Sequence, residues 1–425
     1  MMNYRPRIID GILKRKLEGI GAVLIEGPKL CGKTTSAEHI AESALYMSKP
    51  DDMEQNIKVA ELKPSLLLEG KTPRLIDEWQ VSPKLWDSVR YEVDHRQGVG
   101  HFILTGSAVP ANRDEIFHSG TGRVAWLKMR TMSLFESGDS NGTVSLSDLF
   151  SEEKDIVGIN PNDDIEKIAY LSCRGGWPTT LELKDENALD QVYDYIKVVE
   201  EIDISRVDNV KRDSERTKRL LKAYARCQGN QVSVESIRQD MLTNDSDRLD
   251  VDTVYSYINA LKKLFVIEDM PAWNPNIRSK TAIRSSDTRY FTDPSIAVAA
   301  LGLGPKDMIN DLKSFGFIFE TMCVRDLRVY AHSLDGEVYH YRDKSGLECD
   351  TVIHLRNGKY GLIEIKLGGE DHIEHGATTL KALRDKIDTD KMNAPSFMMV
   401  LVGKGAYAYR RDDGVYVVPL SCLKD

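Results

Sequence analysis

Residues 27 to 34 run Gly-Pro-Lys-Leu-Cys-Gly-Lys-Thr, a match to G-x-x-x-x-G-K-[ST] set between an apolar run, Gly21 to Glu26, and a helix-forming run, Thr35 to Ser43. No other feature constrains the fold as tightly. Such a loop works only between a buried strand and the first turn of a helix, where backbone N–H groups close around phosphate oxygens. Lys33 is expected to reach the outer phosphates and the Thr34 hydroxyl to ligate Mg²⁺. Gly27, Pro28, Lys29, Cys31, Gly32, Lys33, Thr34 and Thr35 form the expected nucleotide-binding set.

Two more short apolar runs, Pro73 to Asp77 and His101 to Thr105, end in polar residues, the pattern of parallel strands buried on both faces. The first ends in adjacent carboxylates. Asp77 is placed to hold Mg²⁺ and Glu78 to polarise an attacking water. Thr105, or Ser107 beyond it, is placed to sense the γ-phosphate or position that water. Arg123, in Gly120-Thr121-Gly122-Arg123, is the candidate arginine finger toward a neighbouring subunit's nucleotide in a homo-oligomer, with Arg130 second.

At 425 residues the chain has room for roughly three domains of about 150 residues. Its net charge of -9 excludes a general polycation, so any nucleic-acid surface must be a local basic patch. Six scattered cysteines without a C-x-x-C pair argue against disulfides and zinc knuckles. Without a continuous apolar signal segment or a run of about 18 apolar residues, a soluble cytoplasmic protein with no membrane contact is expected.

The run Tyr4-Arg5-Pro6-Arg7-Ile8-Ile9-Asp10, the phosphate loop, Leu75 to Gln80, Phe102 to Ser107 and Met129 to Glu136 resemble the prokaryotic AAA-type ATPases. Those are the members whose C-terminal half is a domain of unknown function with a winged helix and a restriction-endonuclease-like fold. The resemblance covers nearly the whole chain. It implies an α/β protein with three units: a P-loop AAA-type parallel-sheet domain (1–155), a helical and winged-helix middle (156–300), and a restriction-endonuclease-like end (301–425). Two positions depart from the pattern, Leu30 where an aromatic is expected and Thr131 where a proline is expected.

Between Lys211 and Arg289 there are 15 Lys and Arg against 11 Asp and Glu, a net positive segment in an acidic chain. Helices are expected around Thr217 to Arg226, Val234 to Leu242 and from Asp252, the last with Val254, Ile258, Leu261 and Phe265 on one face. Leu264 to Trp273 and Thr288 to Phe291 would form a wing, with Arg278, Lys280 and Arg284 on its basic loop. Ser256, Asn259 and Lys263 would then face double-stranded DNA.

Near the C-terminus, Tyr360 to Leu367 alternates so that Glu364 and Lys366 share one strand face. A three-residue loop, Arg356-Asn357-Gly358 with Gly358 left-handed, pairs Leu355 with Lys359 and hence Asp350 with Glu364. Two carboxylates with Lys366 two residues on match the PD-(D/E)xK arrangement. Asp350 and Glu364 would bind Mg²⁺, and Lys366 would orient water or stabilise charge. Glu320, expected to share an inward helix face with Phe317, Val324 and Leu327, would join them as a third metal ligand.

The expected function is an ATP-binding and hydrolysing protein, with ATP and Mg²⁺, coupled to a DNA-binding winged helix and a Mg²⁺-dependent nuclease-like domain. The alternative is a nucleotide-switched regulatory ATPase whose nuclease-like fold is catalytically inactive.

Overall fold

In the computed structural model, the described residues are 4–106, 120–151, 156–161, 164–242, 249–274 and 286–425. The three apolar runs form strands β1 (Ala22–Glu26), β3 (Arg74–Asp77) and β4 (Phe102–Gly106), joined by β2 (Ser43–Tyr46) and β5 (Val124–Lys128). All pair in parallel in the order β2-β3-β4-β1-β5. Side chains pack on both faces, Leu24, Ile76 and Leu104 on one and Val23, Leu75 and Ile103 on the other, which is why these strands are continuously apolar. The helix after the phosphate loop is Lys33–Ile40, shorter than expected because Ser43 to Tyr46 enters the sheet as edge strand β2.

A second sheet of seven strands carries the C-terminal third. After β6 (Val144–Ser145) and β7 (Gly158–Ile159), the long helix Leu312–Ser333 leads into β8 (Gly336–Arg342), β9 (Glu348–Leu355) and β10 (Tyr360–Lys366), an antiparallel meander. Helix Glu370–Lys386 crosses over, and β11 (Phe397–Val402) returns parallel to β10. Then β12 (Tyr407–Arg410), β13 (Tyr416–Pro419) and β14 (Leu423–Lys424) complete the chain.

Between the sheets lie helices Ile165–Arg174 and Asp185–Val198, then Ser214–Ala225, Val234–Met241 and Val251–Lys263. Val254, Ile258, Leu261 and Phe265 are buried, as their spacing predicts. An antiparallel pair follows, with bridges Ile267 to Phe291 and Met270 to Thr288. The basic wing loop, Arg278, Lys280 and Arg284, lies outside the described residues, as does Ser107. The stretch Pro271 to Trp273 docks on the outer edge of β8: His340 N–H donates to the Pro271 carbonyl at 3.0 Å and Trp273 N–H to the His340 carbonyl at 2.6 Å.

The hydrophobic core does not stop at residues 155 or 300. One continuous core runs from Leu134 through the helices to Leu423, β6 pairs with β14, and β7 joins β12 at the far edge of the C-terminal sheet. The middle and end therefore share one interior. Its polar centre is Arg325, buried with Asp293 and Asp326 at 3.2 and 2.8 Å. Thr131 Oγ1 donates to Asp293 at 2.7 Å, which gives a physical reason for a threonine where proline was expected.

Candidate functional site

The C-terminal ends of β1, β3 and β4 meet at one edge of the first sheet, where ligands bind in open parallel sheets. The chain leaves β1 through Gly27 beneath the Met129 carbonyl, where a Cβ would lie 2.1 Å from that oxygen, so only glycine fits. Lys33 is buried and folded back on its own loop, donating to the carbonyls of Gly27 (2.9 Å) and Pro28 (2.8 Å). Thr34 Oγ1 donates to Asp77 Oδ1 at 2.7 Å, and Thr105 Oγ1 donates to the same oxygen at 2.6 Å. Thr34, Asp77 and Thr105 thus converge, and the Thr34 and Asp77 oxygens fit the hard oxygen ligands that Mg²⁺ takes.

Glu78 follows in a left-handed conformation (φ 55°, ψ 45°), unusual for a glutamate and the kind of strain found at functional sites. The Gln80 side-chain amide donates to its carboxylate. Burial foremost, then the Asp77 charge, pushes the Glu78 carboxyl up, while the Gln80 bond, Lys33 and Lys29 act against this. Lys29 is ion-paired with Asp203 of the helical middle at 2.6 Å. Thr35 lines the cleft and Leu30 is exposed beside it, at φ 64°. The cleft encloses about 670 Å³ between Tyr4 on one side and Pro178, Thr179 and Glu182 on the other, a volume suited to a small-molecule ligand.

Arg7 lines the cleft, and sequence reasoning gave it no role. Its buried guanidinium donates to Glu136 (3.0 Å), to the Cys31 carbonyl (2.8 Å) and to the Arg130 carbonyl (2.9 Å), fastening the phosphate loop to the strand beside it. Its trace in the sequence is its place in the run Tyr4 to Asp10, which carries the family resemblance. Arg123 lies at the N-terminal end of β5, the opposite end of the sheet from the phosphate loop, paired with Asp94 at 2.8 Å. It is not part of its own chain's site. Arg130 does not point outward as a finger: its guanidinium grips Glu268 at 2.6 and 2.9 Å.

The second candidate site lies on β9 and β10. The register is the predicted one: Tyr360 faces His354 and Ile363 faces Thr351, with Gly358 at φ 84°. Asp350 and Glu364 meet as expected, with Asp350 N–H donating to Glu364 Oε1 at 3.4 Å. Lys366 Nζ sits between them, 3.1 Å from Asp350 and 2.8 Å from Glu364. Burial first, and the Asp350 charge second, push Glu320 and Glu364 up to about 8.

The expected three-acid set is not gathered into a cage. Among the described residues no three His, Cys, Asp or Glu side chains stand together as a metal site. Glu320 instead accepts a hydrogen bond from the Tyr290 hydroxyl, and Phe317, expected on the same inward face, is 36% exposed. The cavity over Glu320 and Asp350 holds only about 50 Å³, closed by Gly229, Asn230 and Tyr290 of the middle region. On helix Val251–Lys263, Ser256 Oγ accepts from Arg212 (3.1 Å) and Lys263 pairs with Asp208 (3.3 Å). Of the polar face expected to meet DNA, Asn259 is exposed while those two are engaged within the chain.

Residues 20–137 match the family model of the AAA domain, residues 165–307 a domain of unknown function (DUF8612), and residues 315–423 a domain of unknown function (DUF4143). Over 357 residues the chain is 24% identical to an uncharacterized protein of Mycobacterium bovis and to one of Mycobacterium tuberculosis, covering 83% of this chain and 72% of each relative. It is similar to a Walker-type ATPase of Pyrococcus abyssi with a TM-score of 0.40 and 15% identity, over 70% of this chain and 96% of that one. The N-terminal unit is a P-loop ATPase domain of AAA type. Among the described residues no helix is long and apolar enough to cross a membrane.

The raised carboxyls of Glu320 and Glu364 generate a pH prediction. The pair binds more protons in the folded state than in the unfolded chain, so stability is lost as pH rises from the ordinary 4.5 through about 8. A divalent cation, were it held by Asp350 and Glu364, would offset that loss. In thermal melts, Mn²⁺ is expected to raise Tm more at pH 8 than at pH 6, and Glu364→Gln to remove the difference. An equal Mn²⁺ effect at both values would count against cation binding at this pair.

Proposed function

We propose that the protein hydrolyses ATP in the cleft beside Lys33 and uses the nucleotide state to govern a DNA-binding middle region and a Mg²⁺-dependent, nuclease-like C-terminal site. The observation that carries the ATPase reading is the convergence of Thr34, Thr105 and Asp77 on one oxygen, with Glu78 next in the chain. Lys33, released from the Gly27 and Pro28 carbonyls, binds the outer phosphates. Thr34 and Asp77 hold the cation, whose chemistry is to neutralise developing phosphate charge. Thr105 fixes the Asp77 carboxylate, and Glu78, oriented by Gln80, takes up the attacking water's proton. Arg123, at the far end of its own sheet and paired with Asp94, would act as a finger only toward a neighbouring copy's nucleotide, on leaving Asp94.

Three helices followed by an antiparallel pair are the topology a winged helix requires, and this supports contact with double-stranded DNA. The meander β8-β9-β10, the crossover helix and parallel β11, with Asp350, Glu364 and Lys366 converging, support the nuclease-like reading. A specific observation favours the alternative, a regulatory ATPase with a silent site. Lys366 already occupies the space between the acids, and the cavity beside Asp350 holds only about 50 Å³.

Lys33→Ala is expected to abolish ATP binding in calorimetry. Glu78→Gln should keep binding and lower kcat by about a hundredfold or more; turnover at the wild-type rate would remove the role assigned to Glu78. Turnover should also fall toward acid along a limb above the ordinary carboxylate range, since Glu78 must be ionised to act. For the second site, plasmid and linear DNA with Mn²⁺ are expected to be cut by the wild-type chain and not by Lys366→Ala. Equal cleavage by both would assign the cutting to something else, and no cleavage by either, with or without ATP, favours the silent-site alternative.

A further inference from the structure

The phosphate loop carries a second lysine, placed in the nucleotide-binding set without a phosphate of its own to contact. Lys29 lines the same cleft as Lys33, Thr34 and Glu78, and its ammonium leaves the loop sideways to meet Asp203 at 2.6 Å. The two partners are unequally placed: the Lys29 side chain is 44% exposed, the Asp203 side chain 6%. Asp203 ends a single π-helical turn, Val199–Asp203, inserted where helix Asp185–Val198 would otherwise continue, and such turns recur at functional sites.

Beyond Asp203 the polar contacts continue into the three-helix region. The Ile204 carbonyl accepts from Arg212 at 2.7 Å, and the same guanidinium binds Asp208 and Ser256. Lys263 closes on Asp208 from the other end of helix Val251–Lys263. The phosphate loop is thus wired to that helix through one exposed ammonium and one buried acid.

We propose that Lys29 is a second cationic contact to the γ-phosphate, and that Asp203 is the positioning residue holding it aside until a nucleoside triphosphate arrives. This rests on the ATPase reading and deepens it. A γ-phosphate offers two negative charges where Asp203 offers one, so Lys29 turns into the cleft when the triphosphate is present and returns when the phosphate leaves. A diphosphate lacks that group and leaves the pair closed. Each exchange uncovers Asp203, so the turn carrying it, and Arg212 after it, must adjust to the state of the nucleotide.

The test is calorimetric affinity of the full chain for ADP and for the slowly hydrolysed analogue ATPγS, in the wild type, Lys29→Ala, Lys29→Arg and Asp203→Asn. Loss of one charge-assisted contact is worth about tenfold. Lys29→Ala is expected to weaken ATPγS by about that factor while leaving ADP within about twofold, and Lys29→Arg to retain the preference for the triphosphate. Asp203→Asn, which frees the ammonium in advance, should tighten ATPγS selectively. Equal weakening of both nucleotides by Lys29→Ala would overturn the γ-phosphate contact, and unchanged affinities in Asp203→Asn would overturn the latch, each leaving the ATPase reading intact. Failure of the wild-type chain to bind either nucleotide would instead overturn the ATPase reading, and this inference with it.

Discussion

The arrangement of this molecule depends on one buried cation. Arg325, on the long helix that leads into the C-terminal sheet, sits between Asp326 beside it and Asp293 at the start of helix Pro294–Leu301. Asp293 also receives Thr131 from the end of the ATPase domain, the Gly176 N–H from the helical turn, and Ser295. Asp326 takes the Leu134 N–H. Four stretches distant in sequence are fixed by a single charge set, which is stable because every oxygen is engaged; breaking one partner of such a set typically costs about 3–5 kcal/mol.

A second, partly buried set, Arg130, Arg328 and Lys128 around Glu268, lies on the same interface. Burial alone would push the Glu268 carboxyl up, yet the three cations hold it well below its ordinary range. Arg130 follows the strand that runs beside the phosphate loop, while Glu268 sits in the antiparallel pair whose neighbour Tyr290 bonds Glu320. The phosphate-loop cleft and the acidic site are thus linked by a continuous series of contacts, from Arg7 and Arg130 through Glu268 and Tyr290 to Glu320.

Much of this could be anticipated from local pattern. Strands β1, β3 and β4 are apolar throughout because parallel strands are covered on both faces, and the β9 to β10 register followed from a loop length and one left-handed glycine. What escaped was non-local. Strand β2 is a short edge with half-exposed side chains and carries no apolar run. Arg7 acts on carbonyls more than twenty residues away, and Thr131 on an acid 162 residues away, so no periodicity announces either. Arg130 looked like a free finger, and Ser256 and Lys263 like a DNA-facing row, because their partners Glu268, Arg212 and Asp208 come from other segments. Phe317 shares the helix with Glu320 but lies where that helix is uncovered.

The central claim is that nucleotide state at the phosphate loop reaches the middle region that covers the acidic site. Hydrogen exchange on the full chain, compared between ADP and ATPγS, reads this directly. Altered amide protection is expected in helix Val251–Lys263 and in Cys227 to Gln231 when the triphosphate replaces the diphosphate. Changes confined to the phosphate loop and the end of β3, with those two segments unaltered, would contradict it.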